Sequence, residues 1–260
     1  MDISVRDMLD CVDADLSEDQ SVLFRLFGYI RAEVPPDPSG AVARVSVRQL
    51  ADDLDGQHIN INVIRVGFDA LGDNALADAL IELDYSIYRI RNIFRPRSLG
   101  VGRVIHGFID ASDADGMDDI GSTGEARDLW EGWSIQNDGI DAFVVRNISG
   151  SLLGLSPTPG DCDKDSKDDG CLAGGIDNDD EGLSRTFSHE IGHFLGLPHN
   201  HDALPDGPCP VGNARFNLMA QTGCVPFIAG TTTRDTRTAV NLSNNQGSDM
   251  RDHCAVKEGC

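Results

Sequence analysis

Residues 189–199 read HEIGHFLGLPH, and three of the seven histidines of the chain fall within them. On a helix, His189 and His193 stand one turn apart on one face, where a single metal ion can take both imidazoles. Glu190 follows the first histidine, so its carboxylate can reach a water beside that metal without being a ligand. Gly196 can adopt a left-handed conformation and stop the helix, and Pro198 opposes its continuation. The chain then turns back and offers His199 as a third ligand. Three protein ligands with a fourth position open describe a catalytic zinc centre, not a structural one. Leu183, Phe187, Ile191, Phe194 and Leu195 give the segment the apolar surface that a buried helix needs.

The elements that must position this segment read as an α/β arrangement. His58–Phe68 is a strand, with Ile59, Ile61 and Val63 on one face. A helix over 74–94 follows, carried by Leu76, Leu80, Leu83, Ile87, Ile90 and Phe94. Gly100–Ile109 and Ile140–Ile148 are two further strands. Between them Ser122-Thr-Gly-Glu125 matches a capping box that opens a helix through Trp130 and Trp133. Strands alternating with helices imply crossover connections. Ser151–Ser156 reads as a short edge strand and 171–176 as another. The last 60 residues show little periodicity. At the other end, 17–33 reads as a helix with Ser17 as its N-cap, stopped by Pro35, Pro36 and Pro38. Residues 1–56 therefore form a helical extension, or a segment resembling a pro-segment, ahead of the main domain at 57–260.

Composition sets the outer limits. The chain has 260 residues and a formal net charge of −22. Its 43 acids are 35 Asp and 8 Glu, against 18 Arg and only 3 Lys. Such a chain does not bind nucleic acid or an anionic membrane through bulk charge, and it has no apolar run of about 18 residues to span a bilayer. The Asp excess has three readings: a solvated anionic surface, adaptation to high salt, and calcium. Its densest part precedes the zinc helix, where Asp161, Asp163, Asp165, Asp168 and Asp169 are candidate calcium ligands. Ser166 and Leu172 stand where an EF-hand needs Gly and Glu, so this is no EF-hand. The alternative is a solvated loop closed by a Cys162–Cys171 bridge.

No CxxC pair occurs among the seven cysteines, so disulfides are expected rather than a thiolate zinc site. They imply an oxidising, extracellular location. MDISVRDMLD is not a signal peptide, so a mature chain is expected. Cys209–Cys224 would brace the region after the metal motif, Cys254–Cys260 is a second pairing, and Cys11 is left over.

The zinc segment resembles the signature of metzincin metallopeptidases. That family carries a Met-containing turn under the metal, and NLMAQ at 217–221 supplies Met219. The resemblance implies that His189, His193 and His199 bind one zinc ion, that Glu190 is the general base and that Met219 floors the site. It implies a zincin-like α+β fold. The upper half, about 57–198, would hold a twisted mixed sheet and two long helices, and the lower half, about 199–260, would be irregular and braced by disulfides. A protein or peptide substrate would pair antiparallel to an edge strand, for which Leu152, Leu153, Gly154 and Leu155 are the candidates. Val225, Pro226 and Phe227 would wall the pocket for the side chain after the scissile bond. The implied activity is that of a secreted, monomeric zinc endopeptidase, broad or narrow in specificity. The rival is a binding or adhesion module that keeps zinc without catalysis. Asn200 after the third histidine and Gln221 two after Met219 match no familiar subgroup.

Overall fold

The computed structural model describes residues 57–150, 152–174, 180–200, 209, 212–232, 235 and 238–258. The expected extension at 1–56, with its helix at 17–33 and Cys11, lies outside the described residues.

The sheet is mixed. Its strands are β1 (Gln57–Val66), β2 (Leu99–Ile109), β4 (Ile140–Val144), β6 (Gly154–Leu155), β7 (Gly170–Ala173) and β8 (Val256–Lys257), while β3 (Asp119–Ile120) and β5 (Asn147–Ile148) form a separate pair. The order in the main sheet is β2-β1-β4-β7-β6. β1 runs parallel to β2 and β4, and β4 runs parallel to β7. β6 is antiparallel to β7 and ends the sheet. β8 returns from the far end of the chain to pair antiparallel with His58 and Ile59 of β1.

Period-two alternation divides the interior in two. Ile59, Ile61 and Val63 join one core with Ile140, Ala142, Cys171 and Ala173. Ile64 and Val66 face the other, with Phe143, Leu172 and Trp130. β1 is covered on both faces, and its two buried polar positions are met by hydrogen bonds: Asn60 Nδ2 donates to Asp138, and Asn62 Nδ2 to Asn137 and Asp141. The first core lies under α1 (Asp73–Phe94), where Leu83, Ile87, Ile90 and Phe94 are buried and Leu76 and Leu80 pack at its edge. The second lies under α2 (Thr123–Trp133). Ser122 caps α2 by accepting from the Glu125 amide, but the Glu125 carboxylate reaches back to the Gly121 amide instead of closing the box on Ser122.

Three expectations need correction. The strand expected over 140–148 breaks after Val144, because Asp118 draws the chain aside. Its carbonyl accepts from the amides of Arg146 and Asn147, its carboxylate pairs with the Arg146 guanidinium, and β5 joins β3. The C-terminal stretch is less irregular than its hydrophobic pattern implies. α4 (Asn244–Arg251) carries a complete capping box between Ser243 and Gln246, yet it buries only Gly247 and Met250. Cys162 pairs with Cys254, 92 residues away, not with Cys171. That bond ties the acidic loop to the chain end beside β8, removes Cys254 from any pairing with Cys260, and leaves Cys171 as a buried thiol in β7. Cys209 and Cys224 are bonded and enclose Met219 in a loop, as expected.

Candidate metal centre

α3 (Asp180–Phe194) carries the motif and is buried at every residue from Leu183 onward. It packs between α1 and β7. Gly196, with φ of 93°, ends it. The Leu197 amide donates to the Gly192 carbonyl and the Gly196 amide to the His193 carbonyl, the paired bonds of a Schellman turn. The turn swings the chain so that His199 faces the two helical histidines.

The three Nε2 atoms converge. His199 Nε2 lies 3.3 Å from that of His189 and 3.2 Å from that of His193. Nitrogens bound to one tetrahedral zinc at about 2.0–2.1 Å stand about 3.4 Å apart, so the spacing fits that ion. Each helical imidazole is oriented from behind. His189 Nδ1 is 2.7 Å from the Leu218 carbonyl and His193 Nδ1 is 2.7 Å from the Leu197 carbonyl. A carbonyl only accepts, so both Nδ1 atoms carry the proton and both Nε2 lone pairs point to the common centre. Burial lowers the pKa of His189 well below the usual range and that of His193 to about 4, so both rings are neutral. Three imidazole nitrogens with no carboxylate oxygen among them favour zinc over calcium or magnesium, which take oxygen ligands.

Glu190 lies against β6. It is 6% exposed, and burial raises its pKa to about 8 against the opposing pull of the Arg185 charge. A Cβ on Gly154 would fall 2.5 Å from Glu190 Cγ and 2.6 Å from Oε1. Only glycine lets the edge strand pass this close to the carboxylate. Met219 is fully buried beneath the helix. A Cβ on Gly192 would meet its sulfur at 2.8 Å, so the glycine inside the motif makes room for the methionine.

A cavity of about 490 Å³ opens over this centre. Among the described residues it brings together His189, Glu190, His193 and His199 with Leu152, Leu153, Gly154 and Leu155 of the edge. The expected wall at Val225, Pro226 and Phe227 is not part of it. Val225 is fully buried and Phe227 stands exposed, while Gln221 and Gly223 line that side. The sequence reading also passed over Arg185 and Thr186, both on the lining. Arg185 had a signal: it stands four residues before His189, on the same helical face.

The acidic loop does not converge. The Asp161 and Asp163 carboxylates accept from the amides two residues on. Asp165 accepts from Gln136 at 3.4 Å, and Asp168 takes the Arg127 guanidinium at 2.7 Å. Asp169 turns inward to the Ser134 hydroxyl at 2.6 Å. Lys164 pairs with buried Asp141, and Lys167 with Asp128 and Glu131. Among the described residues these acids form no cluster of three ligands around one point. Cys162, His253 and Cys254 also lie close together, but the two sulfurs are spent in the disulfide.

The site and its helix therefore define a three-histidine centre of zinc type with a buried carboxylate beside it. No family model matches the chain. Over 107 residues it is 34% identical to human disintegrin and metalloproteinase domain-containing protein 33, a match covering 39% of this chain and 12% of that protein. The chain thus spans a small part of the length of this relative. Among solved structures it is similar to archaemetzincin from Methanopyrus kandleri, with 13% identity, a TM-score of 0.42, and 74% of this chain and 94% of that one covered. Metalloproteinase-II from Bacteroides fragilis gives 14% identity and a TM-score of 0.42, with 75% and 53% covered. A chain of a chaperone–substrate complex gives 13% and 0.43, with 75% and 33% covered.

Proposed function

We propose that the protein is a zinc-dependent endopeptidase of metzincin type. One observation carries this reading: a convergent three-histidine centre shares a single cavity with a buried glutamate and a sheet edge. The sequence match to a disintegrin and metalloproteinase protein supports it. His189, His193 and His199 hold the metal. When bound, zinc supplies Lewis acidity and lowers the pKa of water beside it.

The rest falls to the chain. In its ionised form, which the positive charge of a bound metal would favour against burial, Glu190 accepts a proton at its carboxylate from the attacking water and returns it to the leaving amine. Gly154 keeps that carboxylate in place by having no side chain. β6, last in the sheet, offers main-chain donors and acceptors to an extended peptide laid antiparallel, a mode tolerant of sequence. The two disulfides among the described residues suit action outside the cell. Residues 57–260 act as the catalytic domain, residues 1–56 as an extension to it, and the enzyme works as a monomer.

The test is cleavage of a peptide library with and without chelator, by the wild type and by Glu190→Ala. Cleavage that stops with either change, while the variant retains zinc, supports the reading. Zinc binding without any cleavage identifies a binding module instead, and undiminished cleavage by Glu190→Ala overturns the base assignment.

A further inference from the structure

Besides the histidines and Glu190, the cavity lining among the described residues includes one more charged side chain, Arg185. It is 2% exposed. Nε donates to the Ala239 carbonyl at 3.2 Å, and Nη2 donates to the carbonyls of Leu218, at 3.2 Å, and Ala220. Those last two residues bracket Met219. The Leu218 carbonyl is also the acceptor that orients His189. The turn touches the chain beside the other two ligands as well. The Met219 carbonyl accepts from the Asn200 amide at 3.1 Å, just after His199, and the Met219 sulfur fills the space left by Gly192, just before His193.

A guanidinium taken out of water is costly, and an apolar side chain of similar volume would fill the same space at lower cost. What the guanidinium adds is a rigid fork that fixes several acceptors at once. We propose that Arg185 is a positioning residue for the metal centre: it clamps the Leu218–Ala220 turn so that the Leu218 carbonyl holds His189 in its ligating orientation. The proposal rests on the reading of the three histidines as zinc ligands.

Its test compares Arg185→Met, Arg185→Lys and a control, Leu129→Ala, which opens the core on the opposite face of the sheet. Zinc affinity is measured by chelator competition. The ligand-field bands of the cobalt(II)-substituted protein and the thermal unfolding of the metal-free protein are recorded alongside. Arg185→Met is expected to weaken zinc by about 10–100-fold and to change the cobalt bands. Arg185→Lys, which keeps a donor to the turn, is expected to fall between Arg185→Met and the wild type. Leu129→Ala is expected to lower the unfolding temperature while leaving zinc affinity within about twofold. Wild-type affinity and wild-type cobalt bands in Arg185→Met overturn the proposal. So does an equal loss of zinc affinity in Leu129→Ala. Should Arg185→Met fail to fold, unchanged affinity in Arg185→Lys overturns it. A wild type that binds no zinc removes the histidine reading itself, which sets that failure apart from the others.

Discussion

Two parts of the molecule are dense in metal-ligating side chains, and only one gathers them. In residues 161–169 five carboxylates lie within nine positions, yet they point to backbone amides, to arginine and to the interior. In residues 189–199 three imidazoles meet at one point. The difference lies behind the ligands. Each helical histidine is held by a backbone carbonyl that already belongs to a fixed turn, whereas the acids of the loop are engaged separately, by backbone amides, Gln136, Arg127 and Ser134. Ligand density does not make a site; orientation by outer partners does.

The comparison breaks most visibly at Glu190. Glu190→Ala should cost about 10²–10⁴-fold in peptide cleavage, with zinc content unchanged. Next comes Gly154→Ala, whose methyl must displace the Glu190 carboxylate. A loss of about 10²-fold in kcat with retained zinc is expected, because a shift of about 1 Å in a reacting group has that cost. Equal kcat in Gly154→Ala and the wild type would contradict the proposed approach of the edge strand to the base.

The loop should respond through stability instead. Asp169 is fully buried with one carboxylate oxygen unpaired, and burial raises its pKa to about 7. An unfolded aspartate titrates near 3.9. Between about pH 4 and pH 7 the folded chain holds a proton that the unfolded chain has lost, so stability from this group falls as pH rises. Compared with the wild type across pH 4–7, thermal unfolding of metal-free Asp169→Asn should lose this falling contribution, so the difference between the two chains changes with pH. The smallest effect belongs to Arg127→Ala. Its pair with Asp168 is exposed, so a change under about 1 kcal/mol is expected, with zinc affinity intact.

How much of this was legible in the sequence follows the range of each interaction. His189 and His193 are a four-residue spacing, and Gly196 is a local stop signal, so ligands and turn could be read from one short segment. The edge strand at 154–155 was legible from its apolar run, but its contact with Glu190 required the sheet order. Met219 was found through resemblance alone; the space left by Gly192 gives the physical reason for its place. The partner of Cys162 was out of reach, since it depends on β8 returning to β1 across most of the chain. α4 was missed because its apolar pattern is weak, although Ser243 and Gln246 stood at capping-box spacing. Arg185 was passed over because a charge on an amphipathic helix reads as a solvated one until the surrounding carbonyls are seen.

The central claim, that the histidines gather a metal and the acidic loop does not, is tested most directly by zinc-edge X-ray absorption on chelator-stripped protein reloaded with excess zinc. The account predicts one tightly held zinc per chain, with three imidazole nitrogens at about 2.0–2.1 Å, and loss of that signal in His199→Ala. A shell dominated by carboxylate oxygens, or a tightly held zinc that survives His199→Ala, would contradict it.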